Sequence, residues 1–199
     1  MNALIEKASN VVFDIGNVLL RFDPDFLLPR LVPGLLDGRL TLDMLYGNPL
    51  WDKLDLGVLS EEDMAREAAR LAGDESLWPQ VLPAITRYHE LMEPMPAVDL
   101  IPKLHAMGKK VYVLSNYGPE PFARTERRFA GLFAQLDGMV ISGHEKIGKP
   151  DPAIFRLLLS RYGLNAADCV FIDDRAANVE GAKAVGMEGI VYTGIEAIA

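Results

Sequence analysis

Asp14, Ser115, Lys149 and the adjacent pair Asp173-Asp174 are the residues whose types could do chemistry together. Each stands in a short polar segment that follows an apolar run or precedes a helical pattern: Asp14-Ile15-Gly16-Asn17, Ser115-Asn116, Gly148-Lys149-Pro150 and Asp173-Asp174. Asp is rare in buried strands. Any one of these aspartates alone reads as a cap on a loop or helix; all of them converging on one rim need another reason. Clustered carboxylates repel one another unless a divalent cation sits among them. Mg2+ takes a few carboxylates, a backbone carbonyl, waters and a phosphate oxygen. With a phosphate dianion neutralised in this way, a carboxylate can attack phosphorus and form an aspartyl-phosphate, which water then cleaves. A serine hydroxyl, nearby backbone N–H groups and a lysine ammonium can hold the phosphate oxygens.

Positioning such a set requires a sheet whose strands all end on the same side. The chain has five short apolar runs: Val11–Ile15, Val111–Ser115, Met139–Ser142, Cys169–Asp173 and Ile190–Thr193. They are continuous rather than alternating, so both faces are buried, as in a parallel sheet covered by helices. Helical patterns lie between them. Val98–Met107 carries an apolar stripe and stops at Gly108. Asp151-Pro152 opens a helix that Gly163 closes, and Asn178–Val185 ends at Gly186. The fold class is α/β, a Rossmann-like parallel sheet, and ligands in such sheets bind at the carboxyl ends of the strands.

One interval breaks the rhythm. Between Ile15 and Val111 the chain is far longer than the ~30 residues of a strand–helix–strand unit. Residues 21–94 therefore read as an inserted α-helical domain, with residues 1–20 and 95–199 forming the core. Ser60-Glu61-Glu62-Asp63 resembles a capping box, and Met64, Ala65, Ala68, Leu71 and Ala72 form a stripe closed by Gly73.

Composition narrows the function. Of 199 residues, 20 are Lys or Arg and 28 are Asp or Glu, a net charge of −8. Nucleic-acid backbones are held by Lys and Arg, so a nucleic-acid partner is not expected. The longest stretch free of charged residues, Ser76–Thr86, holds two prolines and is too short for a membrane span. MNALIEK carries no secretory pattern, and the single Cys169 excludes internal disulfides and multi-cysteine zinc sites. A cytoplasmic location follows as the expectation. The partner is a small-molecule phosphate ester; monomer and homodimer are both open.

FDIGNVL, VLSN, KIGKPDP and VFIDDRAANVEGAKAVG resemble, in order and spacing, the four motifs of the haloacid dehalogenase superfamily. The insertion resembles the helical cap of its first class, and WDKLDLGVLSEED resembles a cap stretch of bacterial phosphatases in that group. The resemblance implies a Mg2+-dependent phosphatase. Asp14 is then the nucleophile and a metal ligand, and Gly16 offers its carbonyl to the metal. Ser115 and the backbone of Asn116 bind phosphate, and Lys149 bridges Asp14 and the phosphate. Asp174 ligates the metal directly, Asp173 acts through a metal-bound water, and Asn178 braces their loop. Cys169 reads as core, and His144 as a loop residue.

One position departs from the pattern. Most phosphatases of the superfamily carry a second Asp two residues after the nucleophile, to protonate the leaving oxygen; here that residue is Gly16. Some bacterial sugar-phosphate phosphatases share FD-x-GN at this place. The departure suits a good leaving group, such as that of a sugar 1-phosphate, or a substitute acid, for which Asp23 and Asp25 are candidates. A dehalogenase, which needs neither the metal nor that Asp, is a second reading, opposed by Asp173-Asp174. A non-catalytic relic that binds a phosphometabolite is a third. For substrate contact, chain position favours Arg21, Tyr117 and Glu120, while most of Met44, Tyr46, Trp51, Trp78 and Tyr88 read as the cap's own core.

Overall fold

The computed structural model describes residues 1–34 and 40–199. Five strands, β1 (Asn10–Phe13), β2 (Lys110–Ser115), β3 (Gly138–Ile141), β4 (Cys169–Asp173) and β5 (Glu188–Val191), form one parallel sheet in the order β3-β2-β1-β4-β5. The chain runs outward from β1 through β2 to β3, then returns to the other side for β4 and β5. The switch point of the topology therefore lies between β1 and β4, where such sheets bind ligands.

The apolar runs are continuous because alternate residues enter two separate cores. Val11, Phe13, Val111, Val113, Val170 and Ile172 belong to one apolar cluster, and Val12, Tyr112, Leu114, Val140 and Phe171 to another. Ile101 and Leu104, on the helix Ile101–Ala106, and Phe122, on the helix Pro119–Arg128, complete the first. Ile154, Phe155 and Leu158, on the helix Pro152–Tyr162, and Ala182, on the helix Ala176–Lys183, complete the second.

Strand ends shift by up to two residues from the sequence expectation. β1 stops at Phe13 because the Ile15 carbonyl turns away to accept the N–H groups of Leu19 and Leu20 at 3.0 and 2.8 Å. The expected helix over Val98–Met107 divides into a 3-10 segment, Pro96–Leu100, and the helix Ile101–Ala106. Pro102 has no N–H to continue the ladder across the junction.

Between β1 and β2 lies a helical insertion with its own apolar cluster, in which Leu45, Leu54, Met64, Ala65, Ala68, Val81 and Ile85 are buried. Ser60 caps the helix Glu61–Leu71 by accepting the Asp63 N–H at 3.0 Å. Ala69 rather than Leu71 completes its buried stripe; the helix Trp78–Thr86 packs against the small-residue side, and Leu71 is left exposed. Residues 35–39 of the expected cap lie outside the described residues. No helix among the described residues is long and apolar enough to cross a membrane.

Candidate active site

The carboxyl ends of β1, β2 and β4, with the loop before Pro152, bring Asp14, Ser115, Lys149, Asp173 and Asp174 to one place. Ser115 Oγ donates to Asp14 Oδ1 at 2.6 Å, and Lys149 Nζ lies 2.8 Å from the same oxygen. Lys149 Nζ also lies 2.6 Å from Asp173 Oδ2. This ammonium is buried between two carboxylates, one just past the end of β1 and one at the end of β4, the two strands of the switch point. Burial pulls its pKa down, but Asp14 and Asp173 outweigh burial and hold it above the ordinary lysine range. Burial pushes Asp14 up to about 6; the charge of Asp173 adds to this, and Lys149 and Ser115 oppose it.

Asp173 is held on all sides. Asn178 Nδ2 donates to both its oxygens at 3.0 and 3.1 Å, and the Arg175 N–H donates to Oδ1 at 2.8 Å. Asn178 thus sits where the brace of this loop was expected. Asp174 is half-buried, and burial raises its carboxyl, with Asn17 opposing. Asn17 is a site residue that the sequence reading missed. Its Nδ2 donates to Asp174 at 3.3 Å while its Oδ1 accepts the Phe22 N–H at 3.0 Å. It holds a left-handed φ of 56°, which Asn tolerates better than most residues. Asn116 fixes the lysine loop with a reciprocal pair: its amide donates to the Lys149 carbonyl at 2.9 Å and accepts the Lys149 N–H at 2.7 Å.

Carboxylate oxygens of Asp14, Asp173 and Asp174 lie within 4.8 Å of one another. Three oxygen donors at this spacing, with only one ammonium among them, fit a small hard divalent cation such as Mg2+.

The site floors a cavity of about 500 Å³. Phe22, Tyr46, Trp51 and Tyr88 form an aromatic wall, with ring centroids 4.9–6.2 Å apart. Tyr46, Trp51 and Tyr88 therefore line the cavity rather than serving only as the cap's own core, which corrects the expectation for these three. Trp78 and Met44 do pack in the insertion's cluster. Of the three residues favoured for substrate contact, Tyr117 lines the cavity; Arg21 and Glu120 do not and are exposed. Asp23 and Asp25 also stand outside it. Asp23 caps the helix Pro24–Leu31 and pairs with Arg21 at 2.8 Å, and Asp25 is exposed. Neither is placed to substitute for an acid at position 16. Cys169 is buried in β4, its thiol pushed up to about 11 by burial, and His144 packs on Phe122 away from the cavity.

A carboxyl group from the insertion also enters this cavity. Asp55 lines it, and burial raises its pKa to about 8, reinforced by Asp52 and Asp14 and opposed by Lys149 and a hydrogen bond from the Gly118 backbone. Asp14 and Lys149 are too distant in sequence from Asp55 for spacing to reveal the encounter.

Residues 9–186 match the family model of haloacid dehalogenase-like hydrolases. The chain belongs to that family. This haloacid dehalogenase-like hydrolase is 23% identical over 192 residues to the fructose-1-phosphate phosphatase YqaB of Escherichia coli, covering 94% of this chain and 97% of that one. Among solved structures it resembles a variant family enzyme from Bacteroides thetaiotaomicron in complex with magnesium and inorganic phosphate (TM-score 0.69, 18% identity, 92% of each chain). It also resembles the L-2-haloacid dehalogenase of Xanthobacter autotrophicus (TM-score 0.64, 22% identity, 92% of this chain and 76% of that one). Those two likenesses are of fold alone, so the residues of the site must distinguish the chemistries.

Proposed function

We propose that this hydrolase is a Mg2+-dependent phosphatase that cleaves a small phosphate monoester through an aspartyl-phosphate on Asp14. The observation that carries the reading is the grip of Ser115 and Lys149 on one oxygen of Asp14, beside the carboxylates of Asp173 and Asp174. A carboxylate held by its neighbours in one orientation is a prepared nucleophile. Asp14, Asp174 and the Gly16 carbonyl would hold Mg2+, with Asp173 acting through a water. The metal, when bound, neutralises charge on the phosphate. Lys149, the Ser115 hydroxyl and the Asn116 N–H hold phosphate oxygens, and Asp173 with Asn178 keeps Lys149 aimed at Asp14. The YqaB likeness supports a sugar phosphate as substrate. Within sugar phosphates we propose an aldose 1-phosphate: its anomeric oxygen leaves more readily than a primary alkoxide such as that of fructose 1-phosphate, which suits a site with no side chain at position 16.

Phosphate release from p-nitrophenyl phosphate and from paired glucose 1- and 6-phosphates, with and without Mg2+, tests this. Expected is Mg2+-dependent release that Asp14→Asn abolishes, with the 1-phosphate preferred. Halide release from a 2-haloacid without Mg2+, and no phosphate release, would establish the dehalogenase reading instead. Neither activity in folded protein would leave the phosphate-binding relic.

A further inference from the structure

We propose that Asp55, carried by the insertion over the site, is the proton donor to the leaving oxygen. This rests on the phosphatase reading above. Position 16 is bare, yet nothing about it demands glycine: a Cβ there meets no atom within 4 Å, and its φ is not left-handed. The backbone at position 16 would admit a side-chain Cβ, and the site does without one.

In-line displacement places the leaving oxygen opposite the attacking Asp14, toward the cavity face built by the insertion. Of the carboxyl groups lining the cavity among the described residues, Asp14 and Asp174 are committed to attack and metal, and Asp52 is exposed at the margin. No histidine is among the described residues that line it. The phenols are otherwise engaged: Tyr46 donates to the Ala84 carbonyl at 3.0 Å, Tyr117 pairs with Thr125 Oγ1 at 2.8 Å, and the buried Tyr88 hydroxyl is hydrogen-bonded with that of Tyr117. Asp55 remains, close enough for the charges of Asp14 and Lys149 to act on it.

Its placement is built into the contact between insertion and core. Ser142 Oγ, just beyond β3, donates to the Asp55 carbonyl at 2.6 Å, and Lys146 Nζ donates to the Gly57 carbonyl at 2.6 Å. Gly57 holds a φ of 61°, and a Cβ there would lie 2.7 Å from Pro119 Cγ, so the loop seats directly on the core. Burial favours the neutral, donating form of the Asp55 carboxyl. The donor reaches the site only with the insertion docked, so protonation and exclusion of water arrive together.

The steps balance. An Asp14 carboxylate oxygen bonds to phosphorus, the bond to the ester oxygen breaks, and that oxygen takes the Asp55 proton and leaves as the alcohol. Asp55, now a carboxylate, takes a proton from the water whose oxygen attacks phosphorus. The Asp14–phosphorus bond breaks, releasing phosphate and restoring both groups.

The test compares p-nitrophenyl phosphate with phenyl phosphate, similar in shape but with a poorer leaving group, by kcat/KM with Mg2+. This parameter reports events up to phosphoryl transfer. Asp55→Asn is expected to lose about 10²–10⁴-fold on phenyl phosphate and at least ~10-fold less on p-nitrophenyl phosphate. Gly16→Asp added to Asp55→Asn is expected to recover phenyl phosphate turnover. Asp55→Ser reads the same ratio if Asp55→Asn fails to fold. An equal loss on both esters, or no loss, overturns the assignment while leaving the phosphatase reading intact. No Mg2+-dependent release from either ester by the wild type would defeat that reading and the assignment with it.

Discussion

Lys149→Met is the most informative single perturbation of the site's electrostatics. Met preserves much of the apolar stem and removes the ammonium that lies 2.8 Å from Asp14 and 2.6 Å from Asp173. Removing one partner of a buried ion pair costs about 3–5 kcal/mol, because the other charge remains buried without compensation. Asp173 keeps three hydrogen bonds from Asn178 and Arg175. Asp14 keeps Ser115 alone, so Asp14 carries most of the loss.

The pH dependence follows. Asp14 is near 3.8 in the unfolded chain and about 6 in the folded wild type, and losing Lys149 moves the folded value higher. The folded variant then binds more protons than the unfolded chain, so its stability falls as pH rises through this window. At about pH 4–5 Asp14 is protonated in the folded variant and the deficit is small. At pH 8, two units above the wild-type Asp14 value of about 6, it has grown to about 2–3 kcal/mol, and at 2–4 °C per kcal/mol for a chain of this size that amounts to roughly 5–10 °C in Tm. Thermal unfolding in EDTA at both pH values measures it. Adding Asp14→Asn to Lys149→Met should return most of the loss at pH 8 by removing the stranded charge. A deficit equal at both pH values and untouched by the second substitution would refute the electrostatic account and leave packing as the cause.

Asn17→Ala removes the donor to Asp174 and the acceptor for Phe22, so Mg2+ affinity, read from the Mg2+-induced rise in Tm, should weaken about 10–100-fold. Trp51→Ala opens the aromatic wall and should raise KM for a sugar phosphate about tenfold, with the Mg2+ dependence unchanged; an unchanged KM would remove the wall from substrate binding. Asp55 keeps its proton to about pH 8 when folded and loses it near 3.8 when unfolded. The wild type should therefore lose stability relative to Asp55→Asn as pH rises from about 4 to 8, by up to a few kcal/mol. A Tm difference that stays constant over that range in EDTA would contradict the burial of this carboxyl.

The parts legible in sequence were those dictated by local physics. Val111–Ser115 and Cys169–Asp173 read as strands because each residue has a buried neighbour on one face or the other, so no polar alternation interrupts them. Gly163 marked a helix end because its left-handed φ of 64° is needed there. The chemistry at the strand ends was legible because a parallel sheet delivers every carboxyl end to one side. What the sequence concealed depends on how the insertion docks. Asp23 and Asp25 are near Gly16 in the chain, and chain proximity suggested them, but the turn after Asn17 carries them to the surface. Asp55 is far away in the chain and arrives through hydrogen bonds at Ser142 and Lys146 that no spacing encodes. The aromatic wall was hidden for the same reason: large side chains in a small helical insertion serve its core or its cavity equally well until the docking face is known.

The charge balance of the site joins its folding to its function. Asp14, Asp173 and Asp174 oppose one lysine, so with all three ionised the cluster carries a formal charge of −2 by residue type. Burial resists that charge, as the raised pKa values of Asp14 and Asp174 record. One divalent cation cancels it. On the proposed reading, a phosphate dianion would then meet Lys149, the Ser115 hydroxyl and a metal instead of bare carboxylates. A haloacid, reacting without a metal, would bring its own carboxylate into an uncancelled field of the same sign. The aspartate pair that is costly to bury without a cation is thus what suits the site to a metal-bound phosphate ester, and the same repulsion disfavours the anion that the alternative chemistry requires.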